Sequence, residues 1–218
     1  NHAKATQKQG ILISRDGGWA DFAKHSDWLY CVKSLDEFSA LFKSTNPVAA
    51  AVTTKVSAEL RNTASSLSTL VQAAVENHVA GAYWNADDVW TGFCHRVEAE
   101  VDQAHYLAHS VDLTGIGTWL VEHDPSICII EVRATVQVSV DVNVEFFVYD
   151  TIDHDELNFG SLEVTRNHEM EVDVFITLRG DLEHVAVDEL DPSIELAGGE
   201  YDVEVGEVDP DFGEESYA

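Results

Sequence analysis

From Val132 to Val148 every even position is apolar (Val132, Ala134, Val136, Val138, Val140, Val142, Val144, Phe146, Val148), while the odd positions from Glu131 to Glu145 are polar or charged. A period of two marks a strand with one dry face and one wet face. Strands seldom run so far unbroken, so the pattern predicts a bend or tight turn near Asp141 to Asn143. Met170, Val172, Val174, Ile176 and Leu178 repeat the alternation against Glu169, Glu171 and Asp173, and Tyr201, Val203 and Val205 repeat it against Asp202 and Glu204. Short links such as Arg179-Gly180-Asp181 and Gly198-Gly199 then predict an antiparallel meander with one solvated face.

The first part of the chain has a different rhythm. Gly10 to Ser14 is a short apolar run closed by Arg15-Asp16-Gly17-Gly18, the pattern of a buried parallel strand ending in a loop. His2 to Gln9 reads as the last turns of a helix, Trp19 to His25 as a short helix, and Leu29 to Val32 as a second strand. Ser34 followed by Glu37 is a capping box in front of Phe38, Leu41 and Phe42, so Ser34 to Phe42 reads as an amphipathic helix. After Pro47, apolar residues at spacings of three and four predict one long helix from Val56 to Val79. A second, from Asp87 to His109, is read from Val89, Trp90, Phe93, Val97 and Val101, and the two are expected to pair as a hairpin. Trp84, Trp90 and Trp119 read as packing residues. The fold class is therefore α+β: a partial α/β segment with a parallel sheet over residues 1–45, a helical hairpin connector over 46–110, and an antiparallel β domain over 111–218.

Charge sharpens that division. The net charge is −28, yet residues 1–61 hold eight Lys or Arg against six acids, whereas residues 62–218 hold four Arg, no Lys and 34 acids. Such a field repels nucleic acid and anionic membrane from the second region and favours cations, basic partners or simple solubility, the plainest reading being a solvated acidic surface. No run of about 18 apolar residues and no signal peptide occurs, so no membrane association is expected. Cys31, Cys94 and Cys128 are odd in number and far apart, which fits a reducing, cytoplasmic setting better than a disulfide framework. The chain starts at Asn1 and its single methionine is Met170, so a preceding segment is expected.

The stretch Ile11 to Phe42, ILISRDGGWADFAKHSDWLYCVKSLDEFSALF, resembles the carboxyl-terminal portion of PIN-like nuclease domains. There a hydrophobic strand ends in an acid and is followed by an aromatic, a short helix, a second strand and a closing helix. The matching residues are Ile11 to Ser14, Asp16, Trp19 and Phe22, and Leu35 to Phe42. The resemblance implies a hydrolase that cuts nucleic acid, RNA before DNA, using Mg²⁺ or Mn²⁺ held by clustered carboxylates, because hard cations need oxygen ligands. It makes Asp16 the catalytic residue and metal ligand, and gives Ser14 a supporting role. The family's earlier acids would precede Asn1, so residues 1–218 alone are expected to be inactive. The β domain would then be accessory, binding a protein partner or a second copy of the chain.

Other candidates carry blander readings. Asp21, Asp27 and Asp36 do not match the family pattern and read as helix-end acids. Glu98, Asp102, His105 and His109 would share one face of the second predicted helix, but that row extends about 16 Å, too far for one ion. His123, His154, His168 and His184 are isolated. Asp150 to Glu156 has alternating acids but lacks the glycine and distant Glu of a calcium loop, and so reads as a solvated hairpin turn. Phosphate loops and nucleophile elbows are absent. The alternative from a different class is a non-enzymatic acidic module that recruits a basic partner or mimics nucleic acid, with Asp16 purely structural.

Overall fold

The computed structural model describes residues 10–26, 28–35, 37–38, 46–121 and 124–210. Strand β1 (Gly10–Ile13), helix α1 (Gly17–Lys24) and strand β2 (Leu29–Val32) form a parallel two-stranded unit. The expected capping box then opens: Ser34 Oγ accepts from the Glu37 N–H (3.1 Å), and the Glu37 carboxylate accepts from the Lys33 N–H (2.7 Å). The rest of that predicted helix, and the one at His2 to Gln9, lie outside the described residues.

Helices α2 (Pro47–Arg61) and α3 (Ser66–Gly81) replace the single helix expected from Val56 to Val79. Asn46 caps α2, with Pro47 at the first turn, and Asn62 ends it. Ser65 then starts a new helix, its Oγ accepting from the Ser68 N–H at 3.0 Å. The apolar spacing survives this break because both helices turn the same stripe inward: Val52 and Val56 from α2, Leu67, Val71, Val75 and Val79 from α3.

The second predicted helix, Asp87 to His109, is not helical. Strand β3 (Tyr83–Trp90) and the first half of β4 (Arg96–Val121) occupy it, so a domain boundary at residue 110 falls inside a strand. The stripe Val89, Phe93, Val97 and Val101 recurs every four residues, a spacing that keeps one face of a helix and equally one face of a strand, and register shifts at Val101/Gln103 and Tyr106/Ala108 then break the period of two. Each bulge adds a residue, so the inward side chains fall at Val97, Ala99, Val101, Ala104, Tyr106 and His109, opposite even residues of the next strand. Spacings of two and three then obscure the strand period as far as His109.

That next strand, β5 (Asp124–Asp150), is central in the four-stranded antiparallel sheet, in the order β4-β5-β6-β7, with β6 (Asp155–Arg179) and β7 (Ser193–Leu196). No turn interrupts it at Asp141–Asn143. Both residues are paired on each side, Asp141 with Gln103 and Thr165, Asn143 with Glu100 and Glu163. The hairpin expected at Asp150 to Glu156 is present, with the Asp150 carboxylate accepting from the Ile152 N–H (2.7 Å). Tyr201 to Val205 does not join the meander: β8 (Glu200–Glu207) pairs in parallel with β3 as a separate ribbon.

The sheet has one covered face. Every even residue of β5 from Cys128 to Phe146 is buried, as are Met170, Val172, Val174, Ile176 and Leu178 of β6. Helices α2 and α3 lie over one end, where Thr53 hydrogen-bonds Thr118. The β3–β8 ribbon lies over the other, where Trp84 meets the edge of His168 and the Arg166 guanidinium donates to the Val205 C=O. Trp84 packs as expected and also donates Nε1–H to the Val79 C=O (3.1 Å), whereas Trp90 is half exposed. On the opposite face the Trp119 ring covers Gly117, leaving no room there for a Cβ. Lys55 closes the β6–β7 connection by donating to the carbonyls of Leu182, Glu183 and Val185 at 2.9 to 3.1 Å. None of the described helices is long and apolar enough to cross a membrane.

Leu67→Ala should cost about 3 kcal/mol in urea unfolding, because it empties a fully buried site. Gln137→Ala on the wet face should change stability by less than about 0.5 kcal/mol. Lys55→Met should cost about 1 to 3 kcal/mol by leaving three carbonyls without their donor.

Candidate functional site

Asp16 stands at the carboxyl end of β1. Ser14 N–H extends the β1–β2 ladder to the Val32 C=O (2.9 Å), and the chain then turns into α1. Asp16 is the N-cap of α1: its Oδ1 accepts from the Gly18 N–H at 2.8 Å. Its own N–H donates to Ser14 Oγ at 3.1 Å. Ser14 and Asp16 therefore fix each other through the backbone, and the carboxylate is held by the turn it begins. Glycines at 17 and 18 keep this approach open, since a Cβ on Gly18 would lie 3.3 Å from Asp16 Oδ1.

The other described acids near this unit are not brought to Asp16 as a ligand set. Asp21 pairs with Lys24 at 2.9 Å, one turn along α1. Asp27 and Asp36 lie outside the described residues. Among the described residues, no group of three or more His, Cys, Asp or Glu side chains is placed to hold a metal ion. One carboxylate does not make a Mg²⁺ or Mn²⁺ site, so the described residues do not by themselves fit that ion.

The row Glu98, Asp102, His105 and His109 is divided between the two faces of β4. His105 faces outward to Asp141 (3.2 Å), and His109 faces inward, with Nδ1 2.7 Å from Tyr106 Oη. A cavity of about 180 Å³ between α3 and β4 includes His109, Gln72 and Ser68 in its wall. His184 bonds Asp181 at 2.9 Å, which raises the imidazole's pKa and lowers the carboxyl's. His154 sits in the β5–β6 turn with φ 54. His123 lies outside the described residues.

Two features escaped the sequence reading. His78 Nε2 lies 2.7 Å from Tyr201 Oη, and the Tyr201 ring packs 5.0 Å from Trp84, so α3, β3 and β8 meet at one aromatic cluster. Burial lowers the pKa of both His78 and His109. No sequence signal ties residue 78 to residue 201. The second feature is the wet face of the sheet, which gathers Glu98, Glu100 and Glu145 with Asn143 around a shallow groove of about 440 Å³.

Comparison of the chain with protein families, curated proteins and solved structures finds no match.

Burial makes His78 and His109 harder to protonate in the fold than in the unfolded chain, whose histidines take up protons near pH 6.5. Their contribution to stability is present above that pH and lost as pH falls through it. Unfolding midpoints in urea should therefore drop on acidification across this window, and by less in His78→Gln. Cys128 is fully buried and its thiol is pushed up to about 11. A thiol reagent at pH 8 should modify Cys31 and Cys94 but reach Cys128 only after denaturation.

Proposed function

We propose that residues 1–45 form the closing part of a PIN-like, metal-dependent ribonuclease domain, with Asp16 as one of its carboxylates, and that the acidic β domain is its accessory, partner-binding unit. The position of Asp16 carries this reading. The residue ends a parallel strand and begins the crossover helix, and ligands of open parallel sheets gather at the carboxyl ends of strands. The N-cap bond engages Oδ1 and sets the direction of the group, leaving the chemistry of Oδ2 for a cation.

A second observation supports it. Parallel strands are ordinarily covered on both faces, yet Ile11, Ile13 and Tyr30 share one face of the β1–β2 pair and are each more than 40% exposed. Trp19 and Phe22 stand in edge-to-face contact on α1 and are also exposed. Two parallel strands with one largely exposed apolar face, on which Val32 alone is buried, fit the rim of a larger α/β sheet. The additional carboxylates of the proposed centre would come from that larger sheet, since the described residues supply none beside Asp16. The preference for RNA comes from the resemblance alone. Residues 62–218, with 34 acids and four Arg, are unsuited to holding phosphate.

Asp16→Asn separates the two roles of this carboxylate, because Asn caps a helix as well as Asp does but carries no charge. In the intact protein, Mg²⁺- or Mn²⁺-dependent cleavage of labelled RNA should fall by about 100-fold or more in Asp16→Asn, with stability changed by less than about 0.5 kcal/mol. Equal cleavage by wild type and Asp16→Asn, or none by wild type on RNA or DNA, would sink the assignment.

A further inference from the structure

We infer that the free edge of β6 takes an added strand from a partner, and that this strand carries Lys or Arg at alternate positions. The inference deepens the reading of the β domain as a partner-binding unit and rests on it; it is independent of Asp16.

The edge is long and regular. β7 pairs with β6 over Val174–Thr177, and the Ala197 N–H reaches the Asp173 C=O, so among the described residues β6 is the outer strand of the sheet from Ser161 to Val172. Its register with β5 is unbroken from Ser161 to Arg179. The Asp173 C=O accepts from the Ala197 N–H, and the Arg179 N–H donates to the Leu190 C=O, so odd residues of β6 direct their main-chain groups away from β5. The same alternation turns the N–H and C=O of Glu163, Thr165, Asn167, Glu169 and Glu171 to the outer side, where among the described residues no ladder partner meets them and the Thr165 C=O accepts from the Arg166 guanidinium. β8 runs beside this edge without joining it. Its ladder goes to β3, and Arg166 bridges the two elements by donating to the Val205 C=O (2.8 Å) and the Thr165 C=O (3.2 Å).

The opposite edge of the sheet is different. β4 carries four register shifts between Val101 and Val121, and bulges of that kind deny a flat template to an incoming strand. β6 has no bulge between Ser161 and Asp173.

Charge selects the occupant. Side chains of the odd residues lie on the wet face, so the edge presents Glu163, Glu169, Glu171 and Asp173 in alternation with Thr165 and Asn167. Arg133, which reaches Glu171 and Asp173 at 3.5 and 3.4 Å, answers the last two of these acids. A second copy of β6 would set one row of glutamates against another, and like charges across a ladder are destabilising. After Arg61 the chain has no lysine and only Arg96, Arg133, Arg166 and Arg179, so it offers no basic strand of its own. An extended segment with alternate basic residues meets both requirements, hydrogen-bonding the main chain and facing the acids.

The test uses the full chain and two fluorescent peptides about ten residues long, one alternating Lys with Val and one alternating Lys with Pro, which cannot donate to a ladder. The Lys-Val peptide should bind about tenfold tighter by anisotropy and slow hydrogen exchange at the amides of Thr165, Asn167 and Glu169 by about tenfold. Asn167→Pro should abolish the difference between the peptides, and Glu163→Gln with Glu169→Gln should weaken the Lys-Val peptide. Should Asn167→Pro fail to fold, the wild-type exchange pattern decides. Equal binding of both peptides without amide protection would overturn the edge while leaving a basic-partner surface. Binding of neither would remove the partner-binding reading as well. Self-association that protects the same amides without peptide would make a second copy the occupant.

Discussion

Withdrawing the even-numbered side chains of β5, from Cys128 to Phe146, from water is the constraint that orders residues 46–210. A strand of 27 residues spans about 85 Å, far more than one helix pair can cover. Two separate lids are therefore needed, α2 with α3 over one end and the β3–β8 ribbon over the other. Strands β4 and β6 are as long as they are because each must satisfy one side of the β5 backbone along its length. The helices form one core with the sheet, and the section expected to connect two domains is part of that core.

The same constraint leaves the charge in one place. With the even face filled by apolar side chains, the odd face of β5 and its neighbours receives the acids, and the lids leave that face open. Among the described residues its countercharges in the middle rows are local, such as Arg133 with Glu171 and Asp173. Surface pairs of this sort contribute little to stability, so the acidic face matters for what it attracts and repels more than for holding the fold. The β1–α1–β2 unit is built on other terms. It has few buried side chains, exposed aromatics, and an acid fixed at a strand end, which are features of a surface that meets something else.

How far the sequence could be read depended on whether a local period survived assembly. β5 and β6 were legible because they lack bulges over most of their length, so inward and outward positions alternate without slipping. β4 was not, because its first apolar residues continue a spacing of four from β3 that helix and strand share, and its bulges beyond Val101 shift the inward set from odd to even and back. The turn expected at Asp141–Asn143 failed for another reason: strand length is limited by available partners, and two long neighbours removed that limit. At Asp16 the strand end, the turn and the following helix were legible from Ile11 to Gly18. The capping bond to Gly18, and the absence of a ligand cluster among the described residues, required coordinates.

By itself the sequence determined the α+β content, the dry and wet faces of β5 and β6, the strand-acid-helix order around Asp16, and the concentration of negative charge after residue 61. These are set by neighbours a few residues apart and by composition. Tertiary structure alone decided that β8 pairs with β3, that His78 meets Tyr201, that Lys55 closes a connection some 130 residues away, and that among the described residues β6 stays the outer strand of the sheet from Ser161 to Val172. Each of these joins residues whose separation along the chain erases any periodic signal, and each is fixed by which apolar surfaces remained to be covered once the long sheet had formed.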